Sequence, residues 1–225
     1  MTVDSAVRPE GPDTPDESSL LMLTTGRVEA FSDCVISVAA TLLVLDIKEP
    51  PPGDNVWLYL SNQVPSLAAY SVSFLTILIF WINHHSLFHS IHHVDRALLF
   101  LNGLLLLGIS FISYSTAVLG HALEANHYDK SAAALYALVL GLASACFNGL
   151  WGYLASRPQL LVPAAREWAR AAFLRSLTGP ALYTVAGLAA LLDARVSLAV
   201  DAVVALYFAV LPRHLRRIGR RVVDL

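Results

Sequence analysis

Histidines crowd one short stretch of this chain: the segment NHHSLFHSIHH, residues 83–93, holds five of the eight. His85 and His89 are four residues apart, as are His89 and His93, so on a helix neighbouring imidazoles share a face. Imidazoles at that spacing bind transition metals, and they titrate in the physiological range. A second cluster lies upstream, where Arg27, Glu29, Ser32 and Asp33 stand at the mouth of an apolar run from Val35 to Val44. Ionisable groups inside a membrane segment are costly, so they pair and face protein rather than lipid. Arg27 and Phe31 are one helical turn apart, as are Glu29 and Asp33.

A third pattern runs through the apolar segment itself. Cys34, Val38, Thr41, Leu45 and Lys48 recur at steps of four, three, four and three, which places them on one stripe of a helix. Beside it run Asp33, Ser37, Ala40 and Val44, mostly small. Small and hydroxyl-bearing positions let helices pack closely in a membrane. Spacing alone therefore leaves two readings open, an ordinary packed helix and a face with a task.

Other chemistries find no footing. HExxH, GxSxG and paired aspartates in facing spans are all missing from the sequence, so nothing points to an enzyme or a bound cofactor. A net charge of −2 carries no basic face for nucleic acid. Cys34 and Cys146 both fall in apolar segments and read as buried thiols rather than a disulfide or metal framework.

These residues must be positioned by helices in a membrane. Of the 225 residues, 56% are hydrophobic and 14% charged, against about a quarter charged in a soluble domain. The apolar residues gather in blocks near the roughly 20 residues that cross a bilayer as a helix. Six spans are expected: 27–47, 65–89, 97–119, 132–155, 172–192 with a kink at Gly179-Pro180, and 196–211. Residues 55–64, with Trp57 and Tyr59, suit a brief interfacial helix. Residues 1–20 form an acidic, Pro-containing tail without the apolar core of a signal peptide, expected to be disordered. The six-span body covers 21–213, and 214–225 is a basic end.

Charge bias orients the spans. Twelve Lys or Arg residues fall on the side of the two termini, against Lys48, Lys130 and Arg195 on the other. Positive residues stay inside, so both termini are expected in the cytoplasm of a multi-pass cell-membrane protein.

Arg27-Val28-Glu29-Ala30-Phe31-Ser32-Asp33 opens the first span as Arg-x-x-x-Phe-Ser-Asp. This resembles the signature of the transmembrane protein 175 family of potassium channels. ISVAATLLVLDI, the Trp-x-Asn-His-His of FWINHHSLF (Trp81, Asn83, His84 and His85) and LLFLNGLLLLGISF extend the likeness over roughly residues 24–212. The resemblance implies an all-α integral membrane protein of six helices per chain. It also implies a homotetramer, with four copies of the first helix around a central pore that passes potassium ions. No TVGYG-like carbonyl filter is present. By resemblance the constriction falls at Val38, followed by Thr41 and Leu45, with Val38 smaller than the Ile or Leu common there. Asn83, His84 and His85 are then expected to hydrogen-bond with Ser32 and Asp33 and clamp the pore helix.

The rival reading keeps the histidines for themselves. A divalent-metal or proton-coupled transporter would use the cluster at the end of the second span. Such a site belongs near mid-membrane with carboxylate or cysteine partners, whereas this one has only Asp95 close in sequence. Asp46 and Glu49 at the far mouth of the first span read as solvated flanking charges or as an acidic ring in an oligomer.

Overall fold

The computed structural model describes residues 17–124 and 129–210. Most of the acidic tail and all of the basic end lie outside these residues, and Glu17–Leu20 already belong to a helix. The helices are α1 (Glu17–Leu42), α2 (Val56–Asn62), α3 (Val64–Phe88), α4 (Arg96–Glu124) and α5 (Lys130–Ser156), then α6 (Pro163–Arg166), α7 (Ala169–Ser176), α8 (Thr178–Leu192) and α9 (Ala194–Val210). A 3₁₀ turn, Leu43–Asp46, prolongs α1. The described residues contain no strand; an isolated bridge joins Ile91 to Leu161.

Local chemistry sets the boundaries. Asn55 caps α2, its Oδ1 accepting from the backbone N–H of Trp57 and Leu58 at 3.0 and 3.2 Å. This satisfies donors that a helix start leaves open. Gly53, at φ +96°, makes the turn just before it, a conformation that side-chain-bearing residues rarely adopt. Asp129 caps α5 through the Ser131 N–H at 2.8 Å.

Four segments are long and apolar enough to cross a membrane: Thr25–Asp46, Val64–Phe88, Arg96–Leu123 and Lys130–Ser156. The chain is thus a mostly helical, multi-pass membrane protein. The fifth expected span comes out shorter, 15 residues in α8, while α9 has 17. The kink expected at Gly179-Pro180 is a break at Leu177 instead, between α7 and α8. Pro180 thereby falls in the first turn of α8, where its missing N–H costs no helix bond.

Close packing of small residues builds the bundle. At Gly108 of α4 an added Cβ would stand 3.2 Å from Ala143 of α5, so a side chain there would have to push this crossing apart by a few tenths of an ångström. Small residues of this kind let helix backbones approach in lipid, where no hydrophobic force drives association. α5 is the inner helix, packed against α4, α7, α8 and α9, and half of its apolar window is buried. α1 lies at the edge against α3 and α4, and only 22% of its window is buried.

Candidate functional site

α1 touches the rest of the chain along one stripe: Ser32, Ile36, Ala39 and Leu43 are all buried. Ser113 of α4 donates a hydrogen bond to the Ala39 carbonyl at 2.8 Å, fastening the last turn of the helix. The other face is bare. Val38 is 55% and Leu45 75% exposed, and Cys34 and Thr41 are exposed as well. Cys34 was expected as a buried thiol. It lies instead on the stripe that no other part of the described chain covers, while Cys146 in α5 is half-buried. The Thr41 hydroxyl lies 3.1 and 3.0 Å from the carbonyls of Ser37 and Val38. Its proton therefore stays on its own helix, and its oxygen lone pairs remain free to accept.

Midway along α1, against the end of α3, the polar residues form two layers. In the buried layer, Ser32 and His84 are both fully buried and are joined through Asn102 of α4. Ser32 Oγ donates to the Val28 carbonyl at 2.8 Å. Its oxygen accepts from Asn102 Nδ2 at 2.9 Å, so Asn102 Oδ1 must face the imidazole, 2.9 Å from His84 Nε2. The direction of donation is then set along the whole chain, and it requires the proton of His84 on Nε2. Nδ1 of His84 is buried without a partner, which is tolerable for a bare acceptor. Phe88 stacks on the ring, with centroids 4.4 Å apart.

The outer layer pairs the two helices directly. His85 Nδ1 lies 2.9 Å from Glu29 Oε1, and Trp81 Nε1 donates to Asp33 Oδ1 at 2.9 Å. Glu29 and Asp33 are one turn apart on α1, Trp81 and His85 one turn apart on α3, and the helices run antiparallel. Each turn inward on α1 meets the turn before on α3.

This arrangement differs in detail from the one expected. Asp33 is held by Trp81 rather than by a histidine, and His85 reaches Glu29. Asn83 turns back to the Ile79 carbonyl of its own helix at 2.8 Å. Arg27 and Phe31 are exposed, and Arg27 has no hydrogen-bond or ion-pair partner among the described residues. The physical reason is the facing of Ser32, which points toward α4, so His84 can reach it only through Asn102. Asn102 itself was missed. The signal was a single asparagine within the leucine-rich run LLFLNGLLLL, where an amide needs a partner.

The far end of the bundle does less. Asp46 and Glu49 lie beyond the bare stripe, half-buried and exposed respectively. Asp201 of α9, a helix packed against α3, α5 and α8, is buried with both carboxylate oxygens unpartnered.

The fold and the site together define a class: a polytopic helical membrane protein whose first helix is anchored by polar layers and left bare on its opposite face. The family profile described as the endosomal/lysosomal potassium channel TMEM175 matches residues 27–112, the segment that holds both layers. A potassium channel from Streptomyces collinus is 41% identical over 191 residues, covering 83% of this chain and 92% of the relative. A potassium channel from Chamaesiphon minutus is 38% identical over 190 residues, covering 82% and 93%. The crystal structure of a lysosomal potassium-selective channel TMEM175 homolog from Chamaesiphon minutus superposes with a TM-score of 0.74 at 35% identity, covering 83% of this chain and 96% of the other. This chain belongs to the TMEM175 family. The family is one of ion channels, not of enzymes.

Proposed function

We propose that the protein is a potassium-permeable cation channel whose conduction path is lined by the bare stripe of α1, in a homotetramer within the cell membrane. The observation that carries this reading is the exposure of Val38, Thr41 and Leu45 on a helix whose opposite face is fully engaged. A long apolar helix with only 22% of its window buried has surface to give to other copies and to a pore. The similarity to proteins named potassium channels supplies the ion.

In this reading four Val38 side chains form an apolar ring that closes by excluding water, and the lone pairs of Thr41 replace part of an ion's hydration just beyond it. Leu45 continues the lining. The shortness of the Val38 side chain makes the ring wide, so the preference for potassium over sodium is modest. Six spans within residues 21–213 carry the body, with α7 and α8 together serving as the fifth. Both termini lie in the cytoplasm, a placement that the excess of Arg on their side supports. The two polar layers, with Trp81, His84 and His85 on α3 and Ser32 and Asp33 on α1, fix the cytoplasmic half of the pore helix. Arg27 and Phe31 flank that anchor.

The test is flux through purified protein in liposomes under opposing potassium and sodium gradients. Wild type should pass potassium preferentially, and Val38→Ala should raise flux several-fold and weaken the preference. Absence of cation flux in both proteins, with folded protein in the vesicles, would remove the reading.

A further inference from the structure

His89 is the residue that the anchor leaves over. It sits one turn beyond His85, where α3 ends, with its backbone still helical at φ −61° and ψ −18°. Its ring lies 5.3 Å from that of His85, centroid to centroid, and no hydrogen bond takes up its side-chain nitrogens among the described residues. Glu29, His85 and His89 each offer a ligand atom, and the three atoms lie within 4.8 Å of one another. Glu29 and His85 are already 2.9 Å apart.

We propose that Glu29, His85 and His89 form a binding site for a divalent transition metal of the zinc class, which ties α1 to the end of α3. Two imidazoles and one carboxylate are a donor set that zinc accepts, with water completing the sphere. A tetrahedral ion with bonds of about 2.1 Å holds its ligands about 3.4 Å apart. The Glu29–His85 separation already falls below that, and a rotation of the exposed His89 side chain closes the remainder. The metal takes the place of the proton shared by Glu29 and His85. Ligands come from two helices, so binding crosslinks the cytoplasmic half of α1 to its neighbour. The site lies at the end of the bundle and opens to solvent, which suits a bound regulatory or structural ion and not a cargo carried across the membrane. His92, exposed and three residues further on, is outside the group.

The experiment uses full-length protein in detergent, freed of any affinity tag and of metal, with zinc(II) titrated by calorimetry and cobalt(II) added as a visible-absorption probe. One ion per chain is expected, with a rise in melting temperature and cobalt bands of a low-coordinate nitrogen–oxygen site. His89→Gln and Glu29→Gln should each weaken binding at least about tenfold and abolish the thermal shift, while His92→Gln behaves as wild type. Equal binding by wild type, His89→Gln and Glu29→Gln would overturn the site. So would loss only on replacement of His92, or no binding at all by protein that melts cooperatively. Because binding is read without ion flux, failure here leaves the pore reading standing, and failure of the pore leaves this site standing.

Discussion

At the residue scale, the hydrogen-bond chain of His84, Asn102 and Ser32 is the costliest feature to disturb. Both of the partners of Asn102 are fully buried. Removing its amide leaves a histidine N–H and a serine oxygen unsatisfied in a dry interior, at about 1–3 kcal/mol for each orphaned group. Asn102→Ala is therefore expected to destabilise the protein by about 2–4 kcal/mol. Glu29→Ala removes a partly exposed contact with His85, and exposed pairs of this kind are worth about 0–1 kcal/mol. Denaturant unfolding in detergent with a chelator present measures the difference. Equal losses in the two variants would mean that the buried layer does not hold α1. Of the outer layer, the one-turn spacing of Glu29 and Asp33 was legible in the sequence, but the pairs Glu29–His85 and Asp33–Trp81 are not the ones expected. The buried layer was not legible either. Asn102 lies 70 positions from Ser32, and no periodicity within one helix reports which neighbour a serine faces.

At the element scale, the loops at this end of the bundle are clasped together. Backbone bonds run from His92 N–H to the Leu160 carbonyl at 2.8 Å and from Val162 N–H to the Ser90 carbonyl at 3.0 Å. Asp95 joins them: one carboxylate oxygen caps α4 by accepting from Leu98 N–H at 2.8 Å, and the other accepts from the Tyr153 hydroxyl of α5. Burial opposes its ionisation, but the Tyr153 hydroxyl, the Leu98 N–H and the Arg157 guanidinium outweigh that and hold the carboxyl below its ordinary value of 3.8. A carboxylate with a lowered folded pKa adds stability that is complete above the unfolded value and is lost as pH falls through the folded one. Asp95→Ala should therefore melt below wild type at neutral pH, with the gap narrowing only below about pH 4. A gap independent of pH down to acid unfolding would assign the effect to packing. The long helices were readable from their apolar blocks. The break at Leu177 was not, because Gly179-Pro180 announces a helix interruption without saying on which side of the pair the new helix starts.

At the scale of the whole molecule, the chain has two kinds of bare apolar surface. Phe100, Leu104, Leu107, Phe111 and Tyr114 line the outside of α4 at steps of four, three, four and three, a purely apolar and aromatic stripe of the kind lipid covers. The stripe of α1 is different in kind, with Cys34 and Thr41 interleaved among Val38 and Leu45. In the proposed channel, the outward lone pairs of Thr41 serve a passing cation. Periodicity alone picked out both this stripe and its small-residue neighbour. That no other described element covers it became visible only when the opposite face was seen to be filled.

The most direct measurement replaces both cysteines with serine, introduces single cysteines at Val38, Thr41 or Phe111, and follows potassium flux after a charged thiol reagent is added. Reaction at Val38→Cys and Thr41→Cys should block flux and should slow in high potassium, while full reaction at Phe111→Cys leaves flux intact. Unchanged flux through protein whose Thr41→Cys thiols are shown by mass to be fully modified would contradict a pore lined by α1.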